Sequence, residues 1–209
     1  MGKRSNPPEK QFKRVISIFC PGDVERAYLE KLKADRYPNG PRVDIKPKLG
    51  QADKYADVMD DIADLLSDST GTELVFYVND MDAIVAQGKM ADYEKKKNRL
   101  IKKAGERVIF VESMPCIELW FLLHLCYLDR YWASWEELKP ELLKKIADYE
   151  KTRPRVTRLY DEIRALLSEA IERAKRSTAK HEEGLEDCSY TYMHRLIEKL
   201  DDVFGIAVL

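Results

Sequence analysis

Apolar and polar residues alternate along the first 128 positions in a pattern that predicts strands and helices in turn. Short, largely apolar runs typical of strands cover residues 14–20, 41–49, 73–79 and 107–113. Amphipathic stretches with helical spacing lie between them, at residues 24–34, 53–68 and 90–104. Strands that alternate with helices usually pair in parallel through crossover connections. The pattern therefore predicts an α/β fold of the Rossmann-like kind, with a mostly parallel sheet of about four strands flanked by helices.

The second half of the chain has a different pattern of apolar and polar residues, which predicts only helices. Pro115 is predicted to open an apolar helix that reaches residue 128, since proline suits the first helical position. Further helices are predicted at residues 135–150, 156–179 and 189–203. These patterns divide the chain into a flexible N-terminal arm, an α/β core and a helical C-terminal extension that packs on the core, with boundaries 1–13, 14–128 and 129–209.

The composition indicates a globular protein and argues against several classes, but it does not indicate a function. The chain has 209 residues, of which 44% are hydrophobic, so it can bury a core, and its formal net charge of −1 gives no overall attraction to nucleic acid or membrane. Four widely spaced cysteines without a C-x-x-C pair argue against a zinc site and against a disulfide framework. The longest apolar run, LWFLLHLCYL, is too short to cross a bilayer, and the N-terminus lacks the apolar segment of a signal peptide. We therefore expect a cytoplasmic protein with no membrane partner.

Acidic residues follow two of the predicted strands. Asp23 and Glu25 come after the first strand, and Asp80 and Asp82 come after the third. Ligands of open α/β sheets bind beyond the carboxyl ends of the strands, so these acids are expected at one rim. Carboxylates without matching arginines repel one another unless a cation lies between them, and magnesium prefers such hard oxygen ligands together with a substrate phosphate.

Simpler roles for the same acids remain open. The aspartates Asp80 and Asp82 can form local turns or cap the helix that follows. Asp23 and Glu25 can be acids at a helix start, where the helix dipole favours negative charge.

A basic helix follows the aspartate pair and adds to the case for phosphate binding. Basic stripes of this kind track a nucleic-acid backbone by releasing counterions, although a solvated helix face carries the same charges. A second basic patch, KTRPRVTR at residues 151–158, could equally be a docking surface, and neither patch has interleaved aromatic residues for stacking on bases. The candidate nucleic-acid-binding residues of the basic helix are Lys95, Lys96, Lys97, Arg99, Lys102 and Lys103.

Three stretches of the sequence resemble the motifs of one known family. SMPCIELWFLLHLCYL, at residues 113–128, resembles the S-N-P-C-F-E-L-W element of the RloB-like family, whose members resemble the AbiL abortive-infection component and carry a Toprim-like domain. Asp80-Met81-Asp82 resembles the D-R-D after the family's third strand, and YTYMHRLIEKL, at residues 190–200, resembles its closing helix. The resemblance implies a Toprim-like fold and a metal-dependent nuclease that hydrolyses nucleic-acid phosphodiesters in bacterial antiphage defence, through abortive infection.

The resemblance also implies roles for individual residues. Asp80 and Asp82 would hold Mg²⁺ or Mn²⁺, with Glu25 as a third ligand or as the acid/base, and Asp23 as its substitute. Glu118 would be a supporting acid. The implied partners are nucleic acid, either DNA or RNA, and a separate ATPase of the RloA type. This chain itself has no G-x-x-x-x-G-K-[ST] loop for binding ATP. The sequence leaves a homo-oligomer open.

One position departs from the family pattern. Within FCPGDVERAYL, Pro21 stands where the family has the leading glutamate of its Toprim-like site, and proline neither binds a metal nor moves a proton. Either Asp23 or Glu25 replaces that glutamate, or the domain is catalytically inactive. An inactive domain would bind nucleic acid or an infection signal and pass it to the ATPase. A third alternative is a purely structural subunit.

Overall fold

A single five-stranded sheet organises the chain. The computed structural model describes residues 15–46, 54–67, 72–185 and 188–207, so the predicted arm at residues 1–13 lies outside the described residues. The strand order is β2-β1-β3-β4-β5, with β1 to β4 parallel and β5 antiparallel to β4. The predicted α/β class with a mostly parallel sheet is confirmed. The strands are β1 (Val15–Phe19), β2 (Arg42–Lys46), β3 (Thr72–Asp80), β4 (Val108–Met114) and β5 (Tyr190–Thr191).

Helices cover both faces of this sheet. Helices α2 and α4 pack against each other on one face, whereas α1, α5 and α7 contact one another on the other face. The helices of the described chain are α1 (Asp23–Arg36), α2 (Tyr55–Ser67), α3 (Asp82–Ala86), α4 (Met90–Ala104), α5 (Glu118–Leu125), α6 (Trp135–Lys145), α7 (Arg153–Ile163), α8 (Leu167–Glu182) and α9 (Met193–Phe204).

The strand order places a reversal of direction between β1 and β3. The chain leaves β1 for β2 on one side and then crosses to β3 on the other side. Right-handed crossovers in opposite directions put α1 and α2 on opposite faces. The carboxyl ends of β1 and β3 therefore flank the crevice in which open α/β sheets bind their ligands.

The core lies against β3 and around α5. Strand β3 is buried continuously from Leu74 to Val78, as expected of a parallel strand covered on both faces. Helix α5 is buried on every side, and Trp120 and Phe121 are fully inaccessible to solvent. Glu118 is the first residue of α5, so its carboxylate lies in the buried interior of the protein.

Four predicted helices have wrong boundaries. The single helix predicted at residues 156–179 is two helices, α7 and α8, separated by a 3-10 turn at Arg164–Leu166. The apolar helix begins at Glu118 and not at Pro115, because the preceding turn contains a cis Met114–Pro115 peptide bond and the Pro115 carbonyl accepts hydrogen bonds from the end of β3. The helix predicted at residues 135–150 ends at Lys145. The helix predicted at residues 189–203 begins at Met193, since the two residues of β5 pair with β4 instead.

The region predicted as a helical extension completes the sheet. Its strand β5 adds to the edge of β4, and the hydroxyls of Ser113 and Thr191 share a hydrogen bond of 2.8 Å. Helix α9 holds the far end of α1, because both Arg36 Nε and Arg36 Nη2 donate to the Asp201 carboxylate at 2.7 Å. Tyr37 adds a third donor to the same carboxylate, also at 2.7 Å. The sheet and α1 therefore depend on residues from both sides of the predicted boundary at residue 128.

Across the described ranges, none of the helices combines the length and the apolar character that a bilayer crossing requires.

Candidate metal centre

Three carboxylates meet at the rim between β1 and β3. Asp80 is the last residue of β3, Glu25 lies in the first turn of α1, and Glu118 opens α5. Glu25 and Glu118 are buried, whereas Asp80 is partly exposed. The charges of Glu25 and Glu118 both act on Asp80. Strand β3, helix α1 and helix α5 thus deliver one acid each to the same place.

The turn before α5 fixes Asp80. Its Oδ1 accepts a hydrogen bond of 2.8 Å from the backbone N–H of Ile117. In the opposite direction, the backbone N–H groups of Met81 and Asp82 donate to the Pro115 carbonyl at 3.1 Å. These bonds tie the end of β3 to the start of α5, so the Asp80 carboxylate faces the helix terminus at which backbone N–H groups favour negative charge.

Glu118 carries the clearest sign of a missing partner. The side chain is fully buried, and its Oε1 accepts a hydrogen bond of 2.8 Å from the Tyr149 hydroxyl and lies 3.0 Å from Lys151 Nζ. Its Oε2 is buried without any hydrogen-bond partner among the described residues. A buried carboxylate oxygen without a partner is costly, so this atom is a candidate ligand for a cation.

The Glu25 carboxylate folds back over Gly22, which lies just after β1. A Cβ atom built on Gly22 would stand 2.0 Å from Glu25 Oε2, so any larger residue there would displace the carboxylate. Because Gly22 directly follows Pro21, the bent Glu25 side chain places its carboxylate next to Pro21. Pro21 is the position at which the family pattern has its leading glutamate. Asp23, the other candidate, is exposed at the surface of α1.

Burial and mutual repulsion raise the pKa values of Glu25 and Asp80. Burial raises the pKa of Glu25 to about 7, with its own backbone N–H lowering that pKa and the Glu118 charge raising it further. Burial raises the pKa of Asp80 well above its usual range, and the negative charges of Glu25 and Glu118 add to the effect. Lys151 opposes both shifts. Such crowding of like charges is typical of functional sites and favours the binding of a cation.

The closest set of potential ligand atoms comprises two carboxylates and a thiol. Asp80, Cys116 and Glu118 each offer one atom within 4.8 Å of the others, a proximity found for no other His, Cys, Asp or Glu trio in the described ranges. Burial and the negative charges of Glu118 and Asp80 raise the pKa of the Cys116 thiol well above its usual range. The two carboxylates, of which Glu118 has one unpartnered oxygen, fit Mg²⁺ or Mn²⁺. These ions take one or two carboxylates and complete their shell with water and phosphate.

Asp82 stands outside this closest set. It is partly exposed at the start of α3, and its Oδ1 accepts a hydrogen bond of 2.7 Å from the Ala83 backbone N–H. This is a local contact within the first turn of α3, whose N-cap residue is Met81 and not Asp82. Its charge nevertheless acts on Asp80, so the residue borders the site.

The basic helix α4 divides into an inward and an outward set of cations. Lys97 points inward, with its Nζ 2.8 Å from Oε2 of the buried Glu112, which also accepts a hydrogen bond of 2.8 Å from the Tyr93 hydroxyl. Lys95, Arg99, Lys102 and Lys103 are exposed and Lys96 is partly exposed. Lys97 is therefore engaged in an internal ion pair, and the other five cations form the surface that faces solvent.

The outward cations extend away from the acids. Helix α4 starts after β3 and returns to the beginning of β4, so its last turn lies at the opposite end of the sheet from Asp80. Lys102 is about 18 Å along the helix axis from Met90, at a rise of about 1.5 Å per residue. A nucleic acid that touches both regions must run along the whole of α4.

We predict that Lys97 and Lys102 differ sharply in their effect on stability. Lys97→Met leaves the Glu112 carboxylate buried without its cation and should lower the free energy of unfolding by about 2 kcal/mol, less than for a fully buried pair because Lys97 is partly exposed. Lys102→Met removes an exposed charge and should change it by less than about 0.5 kcal/mol. Urea unfolding of both variants measures the difference. Equal stabilities would contradict the inward assignment of Lys97.

The sequence patterns missed Cys116, Tyr149 and Lys151 as members of the site. Tyr149 and Lys151 lie in the loop between α6 and α7, and Tyr149 is 31 positions from the Glu118 that it contacts. The basic patch at residues 151–158 was the only signal for Lys151. Two other cations of that patch pair internally, since Arg153 bonds Glu30 and the buried Arg155 bonds Glu162 and Asp148.

Comparison with known proteins gives the family. The model of the family described as RloB-like protein matches residues 16–200. The chain belongs to the RloB-like family. The match spans every acid of the site, the loop that carries Lys151 and most of α9, and it confirms membership of the RloB-like family. No curated protein and no solved structure matches the chain.

Proposed function

We propose that this RloB-like protein is a Mg²⁺- or Mn²⁺-dependent nuclease that hydrolyses nucleic-acid phosphodiesters at a Toprim-like site. The observation that carries the proposal is the convergence of Glu25, Asp80 and Glu118 at the crevice between β1 and β3, with Glu118 Oε2 buried and unpartnered. Metal-dependent phosphoryl chemistry needs such a concentration of carboxylates, since the cation supplies charge to the phosphate and lowers the pKa of a bound water.

The residues of the site have separable roles in this proposal. Asp80 and Glu118 would hold the cation, and Asp82 borders them. Glu25, whose pKa burial raises to about 7, would accept a proton from the attacking water or return one to the leaving oxygen near neutral pH. The Tyr149 hydroxyl fixes the orientation of Glu118 through its hydrogen bond. The exposed cations of α4 would contact phosphates farther along the strand.

The wider biological setting is part of the same proposal. Family membership together with the AbiL-like motif resemblance supports an effector of bacterial antiphage defence that acts by abortive infection in the cytoplasm. The same resemblance supports a separate RloA-like ATPase as partner.

A second candidate function is an inactive subunit that binds nucleic acid or a signal. Pro21 favours it, because the family's leading glutamate is absent at that position. The folded-back Glu25 favours the nuclease, since its carboxylate lies over the adjacent Gly22.

A cleavage assay separates the two candidates. The purified protein is incubated with end-labelled single-stranded and double-stranded DNA, single-stranded RNA and tRNA, in Mn²⁺, in Mg²⁺ or in EDTA, with and without the ATPase. The nuclease should cut at least one substrate in Mn²⁺ or Mg²⁺ and none in EDTA. Metal-independent binding without cleavage would support the inactive subunit, and the absence of binding and cleavage would contradict both candidates.

A further inference from the structure

A loop of the helical region places a cation at the mouth of the acid cluster. Lys151 lies between α6 and α7, and its Nζ is 3.0 Å from Glu118 Oε1 and 4.3 Å from the centroid of the Trp135 ring. The Lys151 side chain is 37% exposed, whereas Glu118 is fully buried. The ammonium group therefore sits at the boundary between the buried carboxylates and the solvent.

The charge of Lys151 reaches more than its direct partner. It acts on Glu25, on Asp80 and on the Cys116 thiol as well as on Glu118. In the absence of a metal ion, this single ammonium group offsets part of the repulsion among three carboxylates. A divalent cation on the same carboxylates would compete with it, because both positive charges favour the same oxygens.

We propose that Lys151 is a substrate-binding residue that changes partner: when a divalent cation takes the carboxylates, its ammonium leaves Glu118 and binds a phosphate of the nucleic acid. This inference rests on the proposed nuclease function. A lysine suits the exchange, because its ammonium is a compact charge on a flexible stem and binds phosphate as a point charge. The Trp135 ring offers the displaced ammonium a second contact within reach, through cation–π attraction.

The exchange predicts opposite effects on two affinities. Lys151→Gln removes the competitor of the metal, so the affinity for Mn²⁺ should rise about tenfold, as expected for the loss of one nearby positive charge. The same variant lacks a phosphate contact, so it should bind a short labelled oligonucleotide about tenfold more weakly in the presence of Ca²⁺, which takes the same oxygen ligands. A purely structural role would weaken both affinities together.

The experiment combines calorimetric titration of Mn²⁺ with oligonucleotide binding in Ca²⁺ for the full chain. Lys151→Arg retains the positive charge and should keep both affinities within a few-fold of wild type. Arg153→Gln is the matched control, since it removes a positive charge two positions away that pairs with Glu30 and not with the acids. Its two affinities should equal those of the wild-type protein.

Each remaining outcome overturns the inference and separates it from the proposed function. If wild type binds Mn²⁺ and the oligonucleotide but Lys151→Gln fails to raise the Mn²⁺ affinity or fails to lower the oligonucleotide affinity, the partner exchange is wrong and the nuclease proposal stands. If wild type takes up no Mn²⁺ with or without oligonucleotide, the proposed function fails and the inference fails with it.

Discussion

Asp80→Asn is expected to abolish saturable Mn²⁺ binding and to reduce metal-dependent cleavage by more than about 100-fold, the loss that even outer-shell partners of a metal can cause. Asp80 is the acid on which the charges of both Glu25 and Glu118 act, and it belongs to the closest set of ligand atoms in the described chain. The amide oxygen retains the hydrogen bond from the Ile117 backbone N–H, so the turn before α5 should persist. The loss therefore reports on charge and not on folding.

Two further measurements make this result specific. The metal-free Asp80→Asn protein should be at least as resistant to urea as wild type, because one source of repulsion among buried carboxylates has been removed. Asp60→Asn, which changes an exposed acid on α2 across the sheet, is the matched control and should keep Mn²⁺ binding and cleavage unchanged. Wild-type Mn²⁺ affinity in Asp80→Asn would contradict the metal centre at this rim.

Glu25→Gln is expected to make the metal-free protein progressively more stable than wild type as the pH rises. The folded-state pKa of Glu25 is raised from 4.5 to about 7 by burial, so between these values the folded protein holds a proton that the unfolded chain has released. Stability contributed by this proton is present at low pH and is lost as the pH rises to about 7. Glutamine does not titrate, and the variant escapes this loss, which is on the order of 3 kcal/mol at pH 7, at about 1.4 kcal/mol per unit of pKa.

The measurement is urea unfolding in EDTA across this pH window, expressed as the difference between Glu25→Gln and wild type. Taking the difference cancels the pH dependence of the acids that do not interact with Glu25. Glu106→Gln, which replaces an exposed acid in the turn before β4, is the control and should not reproduce the growing difference. A difference that stays constant with pH would mean that Glu25 is solvated in the folded protein.

Local patterns were enough to predict four of the five strands and the rim at which Glu25 and Asp80 lie. Strands β1 to β4 are apolar runs separated by amphipathic helices, and parallel strands necessarily bring their carboxyl ends to one rim. The position of Asp80 beside Glu25 follows from this topology alone. Strand β5 was missed because two residues are too few to establish a period of two.

The partners of Glu118 could not be predicted in the same way. Tyr149 and Lys151 reach it from a loop more than thirty positions later, and only the packing of α6 and α7 decides which loop residues face the acids. By contrast, the inward position of Lys97 had a local signal. It shares a helical face with the buried Tyr93 and Leu100, at spacings of four and three residues, whereas the equally basic Lys102 does not.

The order of the site residues along the chain has a consequence for biosynthesis. Glu25, Asp80 and Glu118 are all translated before the loop that carries Tyr149 and Lys151, and α1 gains its anchor at Asp201 later still. The edge of β4 also stays open until Tyr190 and Thr191 have been made. A growing polypeptide therefore carries the acids without the groups that hold them, and the site is completed only when α9 docks. Under the proposed nuclease function, the complete set of groups around the acids would therefore form only after the C-terminal part of the chain has been synthesised.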